Sequence, residues 1–197
     1  MNTETPIIAK FEKISLEEWL NTFRNQLPEG KSLSDEDIKE LTEIYDNIKL
    51  PKRATKGSAG YDFFMPITIP PIYPGASALI PTGIKCKINP GWVLLLMPKS
   101  GLGIRYKMKL DNTIGVVDSD YYNCEKNEGH IMISFSNELP PFTVENPITQ
   151  KPEVPKELIL EIPVGKAFAQ GLLVPYGIAE EEEVTADRTG GFGSTNS

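Results

Sequence analysis

From Pro51 onward, prolines and glycines interrupt the chain so often that the apolar stretches left between them are short: ALIPTGIKCKI, GWVLLLMP, HIMISFSN and ELILEIPVG. Stretches of that length bounded by turn formers suit the strands of an all-β barrel or sandwich. In HIMISFSN, Ile131, Ile133 and Phe135 alternate with Met132, Ser134 and Ser136, so this strand has one distinctly more polar face. Residues from about Glu138 to Lys156 are proline-rich and hold no core stretch, which predicts a surface excursion between strands.

Residues 1–50 follow a different period. In SLEEWLNTFRNQL, Ser15 and Glu18 form a capping-box pattern, and Leu16, Trp19, Leu20, Phe23 and Leu27 fall on one helical face. In SDEDIKELTEIYDNI, Ser34 and Asp37 repeat the start signal, and Ile38, Leu41, Tyr45 and Ile48 recur at helical spacing before Pro51 ends the pattern. A helical hairpin over 1–50 is predicted, followed by a β-domain over 51–179 and an arm over 180–197 that opens with four acids and closes on GGFGSTNS. The apolar faces of the hairpin can pack on each other, on the β-domain or on another subunit.

Charge and cysteine usage exclude several classes of function. The formal net charge of −7 argues against a broad grip on a nucleic-acid backbone, so a polyanionic ligand has to be held locally. One window inverts the sign, with Lys99, Arg105, Lys107 and Lys109 close together, and reads as a solvated strand face. The two cysteines, Cys86 and Cys124, form no C-x-x-C pair and stand beside a single histidine, His130, so neither a zinc site nor a disulfide framework is expected. No apolar run approaches the roughly 18 residues that span a membrane, and the start lacks the order of a signal peptide, so the expectation is a soluble cytoplasmic protein.

Five segments occur in a fixed order: SAGYDFF at 58–64, PKSGLGIRY at 98–106, GVVDSDYYN at 115–123, GKAFAQGLL at 165–173 and RTGGFGSTN at 188–196. Singly each is an ordinary glycine-containing turn. Together, from about Leu50 to Asn196, they make the chain resemble the trimeric dUTPase family. That resemblance implies a distorted, jelly-roll-like β-barrel behind the helical hairpin, a homotrimer with sites shared between subunits, and hydrolysis of dUTP to dUMP and pyrophosphate with Mg²⁺. Such a reaction keeps uracil out of DNA and supplies dUMP for thymidylate synthesis.

The resemblance also implies roles for particular residues. Asp118 orients the attacking water, and Asp62 supports phosphate and metal geometry or an ion network within the trimer. The hairpin holding Gly115 and Val117 pairs its backbone with the uracil edge, while Tyr121 packs against deoxyribose and excludes a 2′-hydroxyl. Ser100 and Gly101 cradle the inner phosphates, with Lys99 standing where many members have arginine, so that a point charge replaces a planar fork. Gln170 donates its amide to a phosphate oxygen. Arg188, Phe192, Gly193, Ser194 and Thr195 belong to an arm that closes over the triphosphate, Phe192 stacking on the base and Arg188 meeting the terminal phosphate. No residue is assigned as a direct metal ligand, because Mg²⁺ keeps its waters and binds mainly through the substrate's phosphates.

Two rival readings are a dCTP deaminase and a nucleotide-responsive binding protein. The first needs a glutamate general acid/base at the pyrimidine, and GVVDSDYYN holds none. The second would use the helical extension or the 138–156 excursion as a surface for a protein partner.

Overall fold

The computed structural model describes residues 6–180. Its strands are β1 (Ala9–Lys13), β2 (Lys52–Arg53), β3 (Tyr61–Phe64), β4 (Ser77–Pro81), β5 (Ile84–Ile88), β6 (Trp92–Pro98), β7 (Lys109–Leu110), β8 (Gly115–Val117), β9 (Met132–Ser136), β10 (Val144–Glu145), β11 (Pro152–Glu153) and β12 (Ala167–Pro175). They form an antiparallel sheet in the order β2-β3-β12-β6-β8, a second in the order β4-β9-β7, and the pairs β1-β5 and β10-β11. The fold is the all-β, jelly-roll-like one. The predicted alternation along β9 holds: Ile133 and Phe135 are buried, and Met132, Ser134 and Ser136 point away. Phe63, Ile80, Leu94, Phe135 and Phe168 from five different strands, with Leu160 from an isolated bridge, fill the middle, each worth about 1.5–3 kcal/mol of burial.

Helix α1 (Leu16–Arg24) and helix α2 (Asp35–Asp46) occupy the two stretches of helical period. The capping box at Ser34 and Asp37 is complete. At α1 only half of the expected box forms: Ser15 Oγ accepts from Glu18 N at 3.1 Å, but Ser15 N donates to Glu128 Oε2 at 3.0 Å rather than to Glu18. Trp19 is fully buried and its indole N–H donates to Leu41 O at 2.9 Å, so α1 is fastened to α2 while its apolar face joins the β-core. His130 is 1% exposed beside it. Its Nε2 accepts from Gly83 N at 2.9 Å, which places the ring proton on Nδ1, 3.2 Å from Thr22 Oγ1.

Four local expectations change. Residues 9–13 precede the helices yet form β1, registered on β5 from Ala9↔Ile88 to Lys13↔Ile84. ELILEIPVG yields a 3-10 turn at Lys156–Leu158 and a single bridge, Ile72↔Leu160, because prolines cut short the ladder that its apolar residues would otherwise extend. Ser100–Tyr106 is helix α3 rather than an ordinary glycine-containing turn. The basic window is therefore a strand face only at Lys109, which is exposed on β7 and pairs with Glu138 at 3.3 Å; Arg105 lies on α3 and Lys107 caps it in the left-handed region. Within the 138–156 stretch, β10 and β11 make a short exposed hairpin.

Candidate active site

One group of the expected residues gathers where β3, β12 and β6 run side by side. Asp62 on β3 lies opposite Gln170 on β12, and Gln170 lies opposite Met97 on β6. Lys99 follows β6 directly. Its backbone N–H donates to Phe168 O at 3.0 Å, and its ammonium reaches Asp62 Oδ1 at 2.8 Å. The side chains of the pair are 31% and 15% exposed for Lys99 and Asp62, so the ion pair is shielded but open to a ligand at its lysine. Gln170 donates to Pro98 O at 3.4 Å, a long contact that leaves the carboxamide loosely committed. Ser100 and Gly101 open the first turn of α3, are exposed, and stand beside this cluster. First-turn amides have no acceptor within their own helix.

The second group lies along β8. Gly115 is registered on Leu96 of β6, and a Cβ there would come within 3.0 Å of Leu96 Cβ, so the strand approaches β6 closely only as glycine. Val117 is buried against Leu94. Asp118 follows, half-buried, and its carbonyl accepts from Tyr121 N at 3.2 Å to close the 3-10 turn Ser119–Tyr121. Tyr121 is 6% exposed. Its hydroxyl donates to His130 O at 2.8 Å and accepts from Asn127 Nδ2 at 2.8 Å, so the ring is fixed and only a margin meets solvent.

Within one chain these two groups are not brought together. Val117 is level with Leu94, so Asp118 lies near the Val93 end of β6, whereas Lys99 lies past its other end. At about 3.3 Å per residue the two are separated by roughly 20 Å along the strand. Arg188, Phe192, Gly193, Ser194 and Thr195 lie outside the described residues.

A cavity of about 290 Å³ opens beside β8, lined by Leu96, Leu110, Asp111, Asn112, Gly115, Met132, Ile133 and Ser134. Asn112 was missed in the sequence. Its carboxamide offers both a donor and an acceptor at the cavity, which suits the edge of a pyrimidine. Among the described residues, no group of three or more His, Cys, Asp and Glu side chains gathers to hold a metal ion. No helix among them is long and apolar enough to cross a membrane.

The fold and sequence are similar to those of known proteins. The family model for dUTPase matches residues 46–146. The deoxyuridine 5'-triphosphate nucleotidohydrolase of Lactococcus lactis is 36% identical over 160 residues, covering 79% of this chain and 95% of the relative. The crystal structure of the dUTPase from Streptococcus mutans superposes with a TM-score of 0.52 at 31% identity, covering 66% of this chain and 88% of that one. A point variant of the phage 80alpha dUTPase covers 99% of this chain and 100% of its own with a TM-score of 0.54, and at 21% identity it bears on the fold alone. The chain belongs to the dUTPase family.

Proposed function

We propose that the chain hydrolyses dUTP to dUMP and pyrophosphate at sites assembled between its own copies, as a homotrimer. The observation that carries this reading is the separation of the two residue groups along β6. The α-phosphorus has to lie within a few ångströms of both the water-orienting carboxylate and the phosphate-binding turn. One chain holds these about 20 Å apart, so the β8 side of one copy has to meet the β3-β12-β6 side of another.

On this reading the edge strand β8, with Gly115 and Val117, offers backbone groups to the uracil, and Asn112 reads the same edge. The fixed margin of Tyr121 packs on the deoxyribose and leaves no room for a 2′-hydroxyl. Asp118 takes a proton from the attacking water, the new bond forms at the α-phosphorus, and the bond to the bridging oxygen breaks with pyrophosphate as leaving group. The Ser100 and Gly101 amides, the Lys99 ammonium and the Gln170 carboxamide meet the phosphate oxygens, where the negative charge is concentrated. Asp62 keeps Lys99 in place. The arm bearing Arg188, Phe192, Gly193, Ser194 and Thr195 closes over base and terminal phosphate. A triphosphate-borne Mg²⁺ that keeps its waters would bind mainly through the substrate's phosphates, and the chemistry it would supply is neutralisation of their charge. Two buried free thiols accord with a cytoplasmic setting.

Pyrophosphate release from dUTP, dCTP, dTTP and UTP, compared between the native chain and Asp118→Asn, tests this. Release confined to dUTP and reduced about 10²- to 10⁴-fold in the variant is expected. An undiminished rate in Asp118→Asn removes the assigned base. A monomeric protein with full activity removes the shared site.

A further inference from the structure

We propose that Glu128 is a positioning residue: its carboxylate ties the loop behind Asp118 and Tyr121 to the first turn of α1, so that the N-terminal segment sets the geometry of the substrate loop. This rests on the roles given above to Asp118 and Tyr121. The starting observation is the half-built capping box. Glu18 stands at the local position for closing it, yet Ser15 N donates to Glu128 Oε2 at 3.0 Å and Ser15 Oγ donates to Glu128 Oε1. A carboxylate 113 residues away thus takes both donors at the start of α1. Lys85 adds a third contact at 3.0 Å. Burial opposes the charge on Glu128, but the bonds from Ser15 and Lys85 outweigh it and hold the carboxyl below its ordinary range.

The other end of the linkage is Tyr121. Glu128 has a positive φ of 54°, and its backbone closes onto Asn123 and Cys124 at 3.0 and 2.9 Å. Cys124 N in turn donates to Tyr121 O at 3.2 Å, and Asn127, next to Glu128, donates its side-chain amide to the Tyr121 hydroxyl at 2.8 Å. Two further ties run in parallel: the Tyr122 hydroxyl donates to Glu12 on β1, and the His130 ring lies between Thr22 and Gly83. These ties between the substrate loop and the N-terminal segment all pass over residues 122–130. Glu128 is the charged one that grips a helix start, where a carboxylate is favoured by the helix dipole. Its side chain is 33% exposed and that of Lys85 14%, so its loss lowers stability as well as loosening the loop, and the comparison with Glu128→Gln separates the two.

The test uses the full-length chain, with dUTP and UTP hydrolysis and thermal melting measured for the native protein, Glu128→Ala and Glu128→Gln. Glu128→Ala is expected to lower kcat for dUTP about tenfold, within the loss that a misplacement of about an ångström produces, and to narrow the preference for dUTP over UTP. Its Tm falls by several degrees. Glu128→Gln keeps an acceptor for Ser15 and recovers most of the rate. Unchanged kcat and preference in Glu128→Ala, alongside an inactive Asp118→Asn, overturn the inference and leave the assigned base standing. A fully active Asp118→Asn overturns the assignment beneath it instead. Equal losses in both Glu128 variants that follow a lowered Tm also overturn the inference. Should Glu128→Ala fail to fold, hydrogen exchange on the native protein decides: a non-hydrolysable imido analogue of dUTP should slow exchange of the Ser15 and Glu18 amides at least threefold, and unchanged exchange refutes the linkage.

Discussion

Acidification from pH 7.5 to pH 5 should destabilise this protein through one side chain. His130 is the single histidine, so no other imidazole titrates in that window. Burial pushes it from 6.5 down to about 4, against a weaker opposing pull from Glu128. The unfolded chain therefore takes up a proton near pH 6.5 and the folded chain only near pH 4, and stability that is fully present above 6.5 is lost as pH falls between these values. The full difference, ~2.5 units at ~1.36 kcal/mol each, amounts to ~3.4 kcal/mol. By pH 5 about 2 kcal/mol of it should be gone. Structurally, a second ring proton turns Nε2 into a donor facing the Gly83 N–H, which it now accepts from at 2.9 Å. Urea unfolding of the native chain and His130→Gln, at one protein concentration and pH 7.5, 6.5, 5.5 and 5, measures this. The native midpoint should fall while that of the variant stays nearly level. Glu18, whose carboxyl burial raises, opposes the trend slightly. Glu12, Asp37 and Glu138, held low by hydrogen bonds, add losses only below their ordinary values of 4.5, 3.8 and 4.5. A native midpoint unchanged down to pH 5, or an equal decline in His130→Gln, would refute the reasoning.

Lys99→Met leaves the mostly buried Asp62 without its cation and should cost about 1–3 kcal/mol in thermal unfolding, with a raised KM for dUTP. No change in either quantity would remove the pair from the phosphate site. Gly129→Ala places a methyl 2.3 Å from Tyr121 O at a φ of +78°, so it should destabilise the protein by more than ~1 kcal/mol and impair dUTP turnover. A variant with native Tm and rate would contradict the packing. Both thiols are buried, and Cys86 is pushed up to about 12 by burial, so Ellman's reagent should leave the native protein unmodified over minutes at pH 8 and titrate both thiols after denaturation.

The helices were legible because their signals are local: Ser34 with Asp37, the period of Trp19 and Phe23, and Pro51 as a stop all act within a few residues. β4, β5, β6 and β9 were legible because turn formers bound them. AKFEK escaped because its strand character comes from pairing with β5, a partner invisible to a local window. SGLGIRY escaped because two glycines disfavour a helix that tertiary packing nonetheless forms. The site divides in the same way. The order of the five segments pointed to Asp62, Lys99 and Gln170, and the sheet places them together. Nothing in a linear pattern could show that Asp118 sits far from them, since that depends on β8 pairing with β6. Asn112 and Glu128 gave no signal, being an ordinary turn residue and a loop acid until the fold brings a cavity and a helix start to them.

The stretch of β6 between the two residue groups has a genetic consequence. If each catalytic centre takes Asp118 from one copy and Lys99 with Gln170 from another, then activity is a property of a pair of neighbouring chains. Copies disabled at Asp118 and copies disabled at Lys99 should complement when unfolded and reassembled together, because some junctions then join two intact halves. Conversely, a chain carrying both lesions disables a junction on each side of itself and acts dominantly over native partners. The spacing of a single strand thereby decides whether a defect in this enzyme is hidden or revealed in a mixed population of chains.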